Sequence, residues 1–323
     1  MEKGKTMTKK KKMIMAAVAI FIAILVGVGA FFGVQAYRDS RISFPIEDTL
    51  ADGQGRKATV ILLGGQSNAS GCSRDDYLQK NVSSEQYAEY EAGYDNVYIN
   101  YYATGTNASN GFVKCATRQG EAGGFFGPEL GLAQFLHEKH PDRLFFIIKY
   151  AWGGSNLYKE WRAPSSFGMT GQLYKEFEVF VETSMAYLVS KNYNVTIEGM
   201  CWMQGESDAF SVKNATDYEN NLKDFIKDVR KKFSKYAAPD GIAFVDACIA
   251  DNPAFWVYCD EVNASKQAVA AADPLTVLID TNAYGLTCSA EPEDTPDMAH
   301  YDSVSQIKLG NLFGEYLMPF LEK

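Results

Sequence analysis

Ala58-Thr59-Val60-Ile61-Leu62-Leu63 runs straight into Gly64-Gly65-Gln66-Ser67-Asn68-Ala69-Ser70-Gly71. Six consecutive apolar or β-branched residues describe a strand buried on both faces, the kind found in a parallel sheet. The glycines let the chain turn sharply at its end and let another backbone come close. A serine in such a turn holds its Oγ out over the sheet edge, where a nucleophile can work. Neither GxxxxGK[ST] nor GxGxxG spacing is present, so the turn does not read as a phosphate loop.

Outward from this strand the same grammar repeats. Apolar runs at Leu144–Tyr150, Thr196–Met203, Ile242–Ala247 and Thr276–Asp280 alternate with helical patterns near 128–139, 171–190, 216–233, 259–272 and 303–321. Tyr218, Leu222, Phe225, Ile226, Val229 and Phe233 fall on one helical face. Thr216 with Glu219 and Ser303 with Gln306 have capping-box spacing, which predicts helix starts there. Alternating strands and helices predict an α/β fold, a three-layer doubly wound parallel sheet with chemistry at the carboxyl ends of its strands.

The N-terminus reads as an address. Residues 1–12 hold six lysines and one glutamate, a basic tail of about +5. Residues 13–34 are 22 uncharged residues, long enough to cross a bilayer and longer than a signal-peptide core. The lysines place the tail in the cytoplasm and the rest outside. The expectation is a transmembrane signal anchor over 13–34, a linker over 35–57 and one domain over 58–323, exported at the cell membrane. The whole chain carries −9, so the part beyond the tail carries about −14. A body that acidic is a poor partner for phosphate backbones, and nucleic-acid binding is excluded.

Six cysteines (Cys72, Cys115, Cys201, Cys248, Cys259 and Cys288) in an exported domain permit up to three disulfides. Cys248 and Cys259 are near enough for a local bridge, whereas Cys201 lies in a strand-like run. With no CxxC pair and only three histidines, neither a metal site nor a cofactor is expected.

Of those histidines, His137 and His140 end a helix, where they serve as caps. His300 lies in the loop Pro296-Asp297-Met298-Ala299-His300-Tyr301, and Asp297 can turn back to its Nδ1 and leave Nε2 as a base. Asp294 and Asp302 are also near it. Two more strand-end loops offer donors: Gly153-Gly154-Ser155 a bare N–H, and Gln204-Gly205-Glu206-Ser207-Asp208 an amide. Nucleophile, base, orienter and oxyanion donors are the parts of acyl transfer. Ser207 is a rival nucleophile by the same local pattern.

These pieces together resemble the SGNH-type hydrolase superfamily, in its carbohydrate-esterase branch of sialate O-acetylesterase-like and acetylxylan-esterase-like proteins. The resemblance rests on GQSN at 65–68, Phe126-Gly127-Pro128-Glu129-Leu130, Gly153-Gly154-Ser155-Asn156-Leu157, WxQGE at 202–206 and DxxH at 297–300, in that order. It implies Ser67 as nucleophile, His300 as base and Asp297 as orienter. It also implies an oxyanion hole from Ser67, Gly154 and Gln204, with Gln66, Asn68, Gly153 and Glu206 in support. Ala69 and Ser155 stand where relatives often have Met and Thr, which bears on substrate fit. The implied substrate is an acetylated carbohydrate: xylan, a sialic acid or a cell-wall glycan. Trp152, Trp161, Trp256 and Tyr98–Tyr102 are candidates for stacking on a sugar ring, with core packing as the competing role. Alternative readings are an O-acetyltransferase, and a non-catalytic glycan-binding or wall-assembly protein on the same scaffold.

Overall fold

The computed structural model describes Gly33 and residues 38–322. The chain divides after Ser43 into two units. The basic tail and the apolar run expected to span the membrane lie, Gly33 apart, outside the described residues. Among the described residues no helix is long and apolar enough to cross a membrane.

The second unit is built on one sheet. Its strands are β1 (Lys57–Gly65), β2 (Val97–Ala103), β3 (Asn107–Ala108), β4 (Val113–Lys114), β5 (Leu144–Ala151), β6 (Asn194–Met203), β7 (Ala243–Ala247) and β8 (Thr276–Ile279). They lie in the order β8-β7-β6-β1-β5-β2-β3, with β4 also pairing with β2. All neighbours are parallel except β3 and β4, which run antiparallel to β2. The sheet is therefore mainly rather than wholly parallel. Those two short strands end a hydrophilic meander that returns too soon for a crossover helix.

The chain winds from β1 out to β2 and β5, then reverses to β6, β7 and β8. β1 consequently sits at the switch point, flanked by β5 and β6, where open α/β sheets hold their ligands. From Ala58 to Gly65 every β1 residue is buried, as its unbroken apolarity predicts.

Five longer helices cover the sheet: α1 (Glu129–Lys139), α2 (Gln172–Ser190), α3 (Val212–Lys232), α4 (Cys259–Ala272) and α5 (Ser303–Leu321). Successive β6 side chains point to opposite faces. Trp202 meets Phe225 of α3 at 4.5 Å between rings, while a Cβ on Gly199 would collide with Leu317 of α5. The helices thus lie on both faces, giving three layers.

Local capping departs from expectation. α3 starts at Val212, and Thr216 lies inside it with Oγ1 donating to Val212 O at 2.7 Å. Nothing between Val212 and Thr216 interrupts a helix, so it extends back to the turn at Ser211. α5 does start at Ser303, but neither capping-box partner caps it. Ser303 Oγ donates to Glu291, and Gln306 is buried and donates to Asn68 O at 2.8 Å.

The linker expected over 35–57 is packed from Phe44 onward. Phe44 wedges edge-on against Tyr102 and Phe180 at 5.0 and 5.2 Å. Tyr187 Oη of α2 accepts the Thr49 and Leu50 N–H groups, both at 3.0 Å. Phe44 and Leu50 are apolar residues in a polar stretch, too sparse to show a period. All six cysteines are free thiols, so the disulfides that their number permits, a Cys248–Cys259 bridge included, are not formed. Five of them are buried, and there they act as small core residues.

Candidate active site

Gly65 ends β1 at φ +138°, and a Cβ there would strike the Met203 carbonyl of β6. Glycine is obligatory at this close approach. The chain then makes one helical turn, Ser67–Ser70, in which Asn68, Ala69 and Ser70 are buried and Ser67 keeps partial exposure. Gln66 locks this turn to the end of β6. Its N–H donates to Met203 O at 2.9 Å, and its Oε1 accepts the Ser207 N–H at 3.1 Å and the Gly205 N–H at 3.4 Å.

Asn68 ties the turn to the far end of the chain. Its Oδ1 accepts the Tyr301 N–H at 3.1 Å, and its Nδ2 donates to Ala299 O at 3.2 Å and to Glu206 Oε1 at 2.8 Å. His300 is the residue between those two anchors. Its Nδ1 meets Asp297 Oδ2 at 2.9 Å, while Asp297 Oδ1 takes the Ala299 and His300 N–H groups at 3.1 and 3.2 Å. The loop folds back through Met298 at φ +64°. Asp302 is buried and accepts the Ala290 and Glu291 N–H groups, so it braces the loop rather than the imidazole.

After β5, Trp152 N–H donates to Gly65 O at 3.0 Å, which brings Gly153 and Gly154 beside the serine turn. Gly154 adopts φ +66°, and a Cβ there would meet nothing within 4 Å. Among the described residues neither the Ser67 nor the Gly154 N–H has a protein acceptor. After β6, Gln204 is fully buried. Its Nε2 faces Asp208 Oδ2 at 2.7 Å, Ser155 O at 3.2 Å and Gln66 Oε1 at 3.3 Å. Tyr218 Oη donates to its Oε1 at 3.0 Å. Two amide hydrogens already facing three acceptors make Gln204 a tie between the loops after β1 and β5.

The acids beneath the site are perturbed by burial. Asp208 holds the loop after Gly154 by accepting the Leu157 and Tyr158 N–H groups at 2.7 and 3.1 Å. Burial nevertheless pushes its carboxyl up to about 6. Burial likewise raises Glu206, whose Oε2 has no partner. It carries Asp246 to about 6 although Lys266 Nζ donates to it at 2.6 Å.

Asp208 carries no role that its sequence pattern shows, and Thr104 and Glu121 carry no signal in the sequence at all. A polar residue buried in a strand-end loop is the signal for such groups, and burial of single residues is not visible in one sequence. The aromatic candidates resolve mostly to core. Tyr98–Tyr102 lies in strand β2, Tyr102 stacks on Tyr150 at 5.6 Å, and Trp161 and Trp256 are buried; Trp152, Tyr98 and Tyr102 keep partial exposure. Ser207 is held by Gln66 at the edge of the site. His137 Nδ1 meets Asn96 Oδ1 at 2.6 Å, just before β2 begins, and so lies at the opposite edge of the sheet. Among the described residues one trio presents clustered metal-ligand atoms, Asp251, Cys259 and Asp260; it includes none of the candidate catalytic groups.

A serine turn at the switch point, a bare glycine turn beside it and an Asp-His loop pinned to the serine turn define the class: an α/β chain of the SGNH-hydrolase type. The chain belongs to the carbohydrate esterase family described as sialic acid-specific acetylesterase, whose model matches residues 57–318. Among solved structures it is similar to a protein from Arabidopsis thaliana, at 18% identity and TM-score 0.58, over 81% of this chain and 98% of that one. It is also similar to NanS, at 17% identity and TM-score 0.59, over 85% of this chain and 99% of that one. No curated protein matches it.

Proposed function

We propose that the chain hydrolyses O-acetyl esters of carbohydrates through a Ser67-His300-Asp297 triad. Ser67 Oγ attacks the acetyl carbon while His300 Nε2 takes its proton. The tetrahedral oxyanion is received by the Ser67 and Gly154 N–H groups, which Gln204 holds in register. Collapse releases the sugar hydroxyl, protonated by His300. A water activated by the same imidazole then attacks the acyl-enzyme, and acetate leaves with Ser67 restored.

The observation that carries this reading is the Asp297–His300 contact at 2.9 Å in a loop pinned to the residue after Ser67. The test is acetate release from an aryl acetate and from acetylated sugars. Ser67→Ala should cost about 10³-fold or more in kcat, and Ser207→Ala should stay near wild type. Full activity in Ser67→Ala, or loss in Ser207→Ala with unchanged folding, would overturn the assignment.

The apolar run at 13–34 supports a second element of this proposal, an N-terminal anchor that holds the catalytic unit outside the cytoplasm at the cell membrane. The full chain should then pellet with membranes, resist carbonate and dissolve in detergent. Recovery in the medium with a new N-terminus near Tyr37 would replace anchoring by secretion.

A further inference from the structure

One acidic residue stands on the oxyanion side of the site with no role in the chemistry above. The backbone of Glu121 is pinned twice: its N–H donates to Gly71 O at 2.9 Å, and its carbonyl accepts Thr106 Oγ1 at 2.7 Å. Its Oε1 accepts from Ser70 Oγ, three residues after Ser67, and from Thr104 Oγ1 at 2.6 Å. Thr104 Oγ1 in turn accepts the Gly153 N–H at 3.0 Å. A Cβ on Gly153 would lie 2.5 Å from Glu121 Oε1 and 3.4 Å from Oε2. The half-buried carboxylate therefore rests on the glycine that precedes Gly154.

Among the described residues Glu121 is in no salt bridge, and its Oε1 is held by hydroxyl groups alone. Cys72 lies close enough to both Glu121 and Asp297 to feel each charge. Lys149 and Lys266, whose charges reach Cys72 and Glu206, are both buried in pairs, with Glu129 at 2.7 Å and Asp246 at 2.6 Å. A substrate bound over Ser67 thus meets a fixed negative charge beside the glycine turn.

We propose that Glu121 sets the charge preference of the site, favouring acetyl esters on neutral or amine-bearing sugars over those on sugars that carry a carboxylate near the ester. This rests on the esterase reading above and narrows its substrate class. Two carboxylates held about 7 Å apart near a protein surface repel enough to change a rate roughly tenfold. The constraint runs against a carboxylate-bearing sialic acid and toward neutral pyranosides and glucosamine-type rings.

The test uses mono-O-acetylated methyl glycosides of glucose, glucuronic acid and glucosamine, which differ in charge on one ring framework, with an aryl acetate as reference. Wild type should show kcat/KM for the glucose ester roughly tenfold above the glucuronate ester, with the glucosamine ester at least equal to the glucose ester. Added salt should compress the difference, because the repulsion is screened. Glu121→Gln keeps an acceptor for Ser70 and Thr104 and should bring the two rates together, whereas Glu121→Asp should retain most of the preference. Equal rates in wild type, or a preference untouched by salt and by Glu121→Gln, would overturn the inference. If Glu121→Gln does not fold, the salt series and Glu121→Asp decide it. A wild type that cleaves the aryl acetate yet shows no preference sinks this inference alone; one that cleaves no ester sinks the esterase reading with it.

Discussion

The side chain of Asn68 accepts the backbone N–H of Tyr301 at 3.1 Å, across 233 positions of sequence. Together with its bond to Ala299 O, this contact brackets His300 and fixes the base relative to the turn that carries Ser67. Asn68→Ala removes both anchors and also takes a side-chain donor from buried Glu206. The expected result is a 10- to 100-fold lower kcat on an aryl acetate with KM little changed, and a loss of about 1–3 kcal/mol in stability. Kinetics with thermal unfolding on the same samples check it. Unchanged kcat would show that the His300 loop holds its place without Asn68.

Much of this was legible because buried parallel strands write themselves as unbroken apolar runs. All five expected strands and all five helices lie within a few residues of their observed bounds, and the spacing of Asp297 and His300 matches the contact they make. β2 escaped because Tyr98, Tyr101 and Tyr102 read as a surface for sugars, and tyrosines serve core and surface alike. The capping boxes failed because Ser303 and Gln306 found tertiary partners in Glu291 and Asn68. The packed stretch from Phe44 escaped because one half-buried and one buried apolar side chain, Phe44 and Leu50, form no pattern.

The three histidines are separated by the sheet itself. His137 and His140 end α1 near the start of β2, with His140 Nε2 set 3.2 Å from Met318 Sδ. His300→Gln should abolish esterase activity, while His137→Gln and His140→Gln should keep it within about twofold of wild type. An inactive His137→Gln or His140→Gln variant with native unfolding behaviour would mean that the base has been misassigned.

Thr104 passes the Gly153 N–H on to Glu121. Thr104→Val preserves shape and deletes that link, leaving the Gly153 N–H without its acceptor. Since this turn presents the Gly154 N–H, kcat should fall about tenfold or more, with a smaller change in KM. Thr104→Ser, which restores the hydroxyl, should recover most of it. Failure of the serine variant to rescue would assign the loss to packing.

Lys149 and Glu129 form an ion pair with no side-chain exposure, 2.7 Å apart, and Lys149 Nζ also donates to Gln119 O at 2.9 Å. Removing one member leaves the other charged and buried. Lys149→Met should therefore cost about 3–5 kcal/mol, and Lys149→Met with Glu129→Gln should recover a good part of it. Denaturant unfolding of the three proteins checks the coupling; a double variant no more stable than the single would show the two residues to be independent.

The last prediction concerns acid. Burial is the largest influence on Glu206, Asp208 and Asp246, and it raises all three, the aspartates from an ordinary 3.8 to about 6. A carboxyl with a raised folded-state pKa holds its proton more tightly folded than unfolded. Its stabilising contribution is complete below about pH 4 and is lost as pH rises through about 6. Each such group changes the unfolding free energy by at most ~1.4 kcal/mol per pH unit. Asp48, Asp52, Asp76 and Asp95 are lowered by their hydrogen-bond partners and act in the opposite sense, but below their ordinary value of 3.8. Between about pH 4 and 6 the buried acids therefore dominate, and the melting temperature should fall by several degrees as pH increases through that window. Glu206→Gln, whose amide oxygen still accepts from Asn68, should flatten part of the slope. A melting temperature that instead climbs steadily from pH 4 to 7 would mean that hydrogen bonds from Asn68, Gln204 and Lys266 keep these carboxylates ionised against their burial.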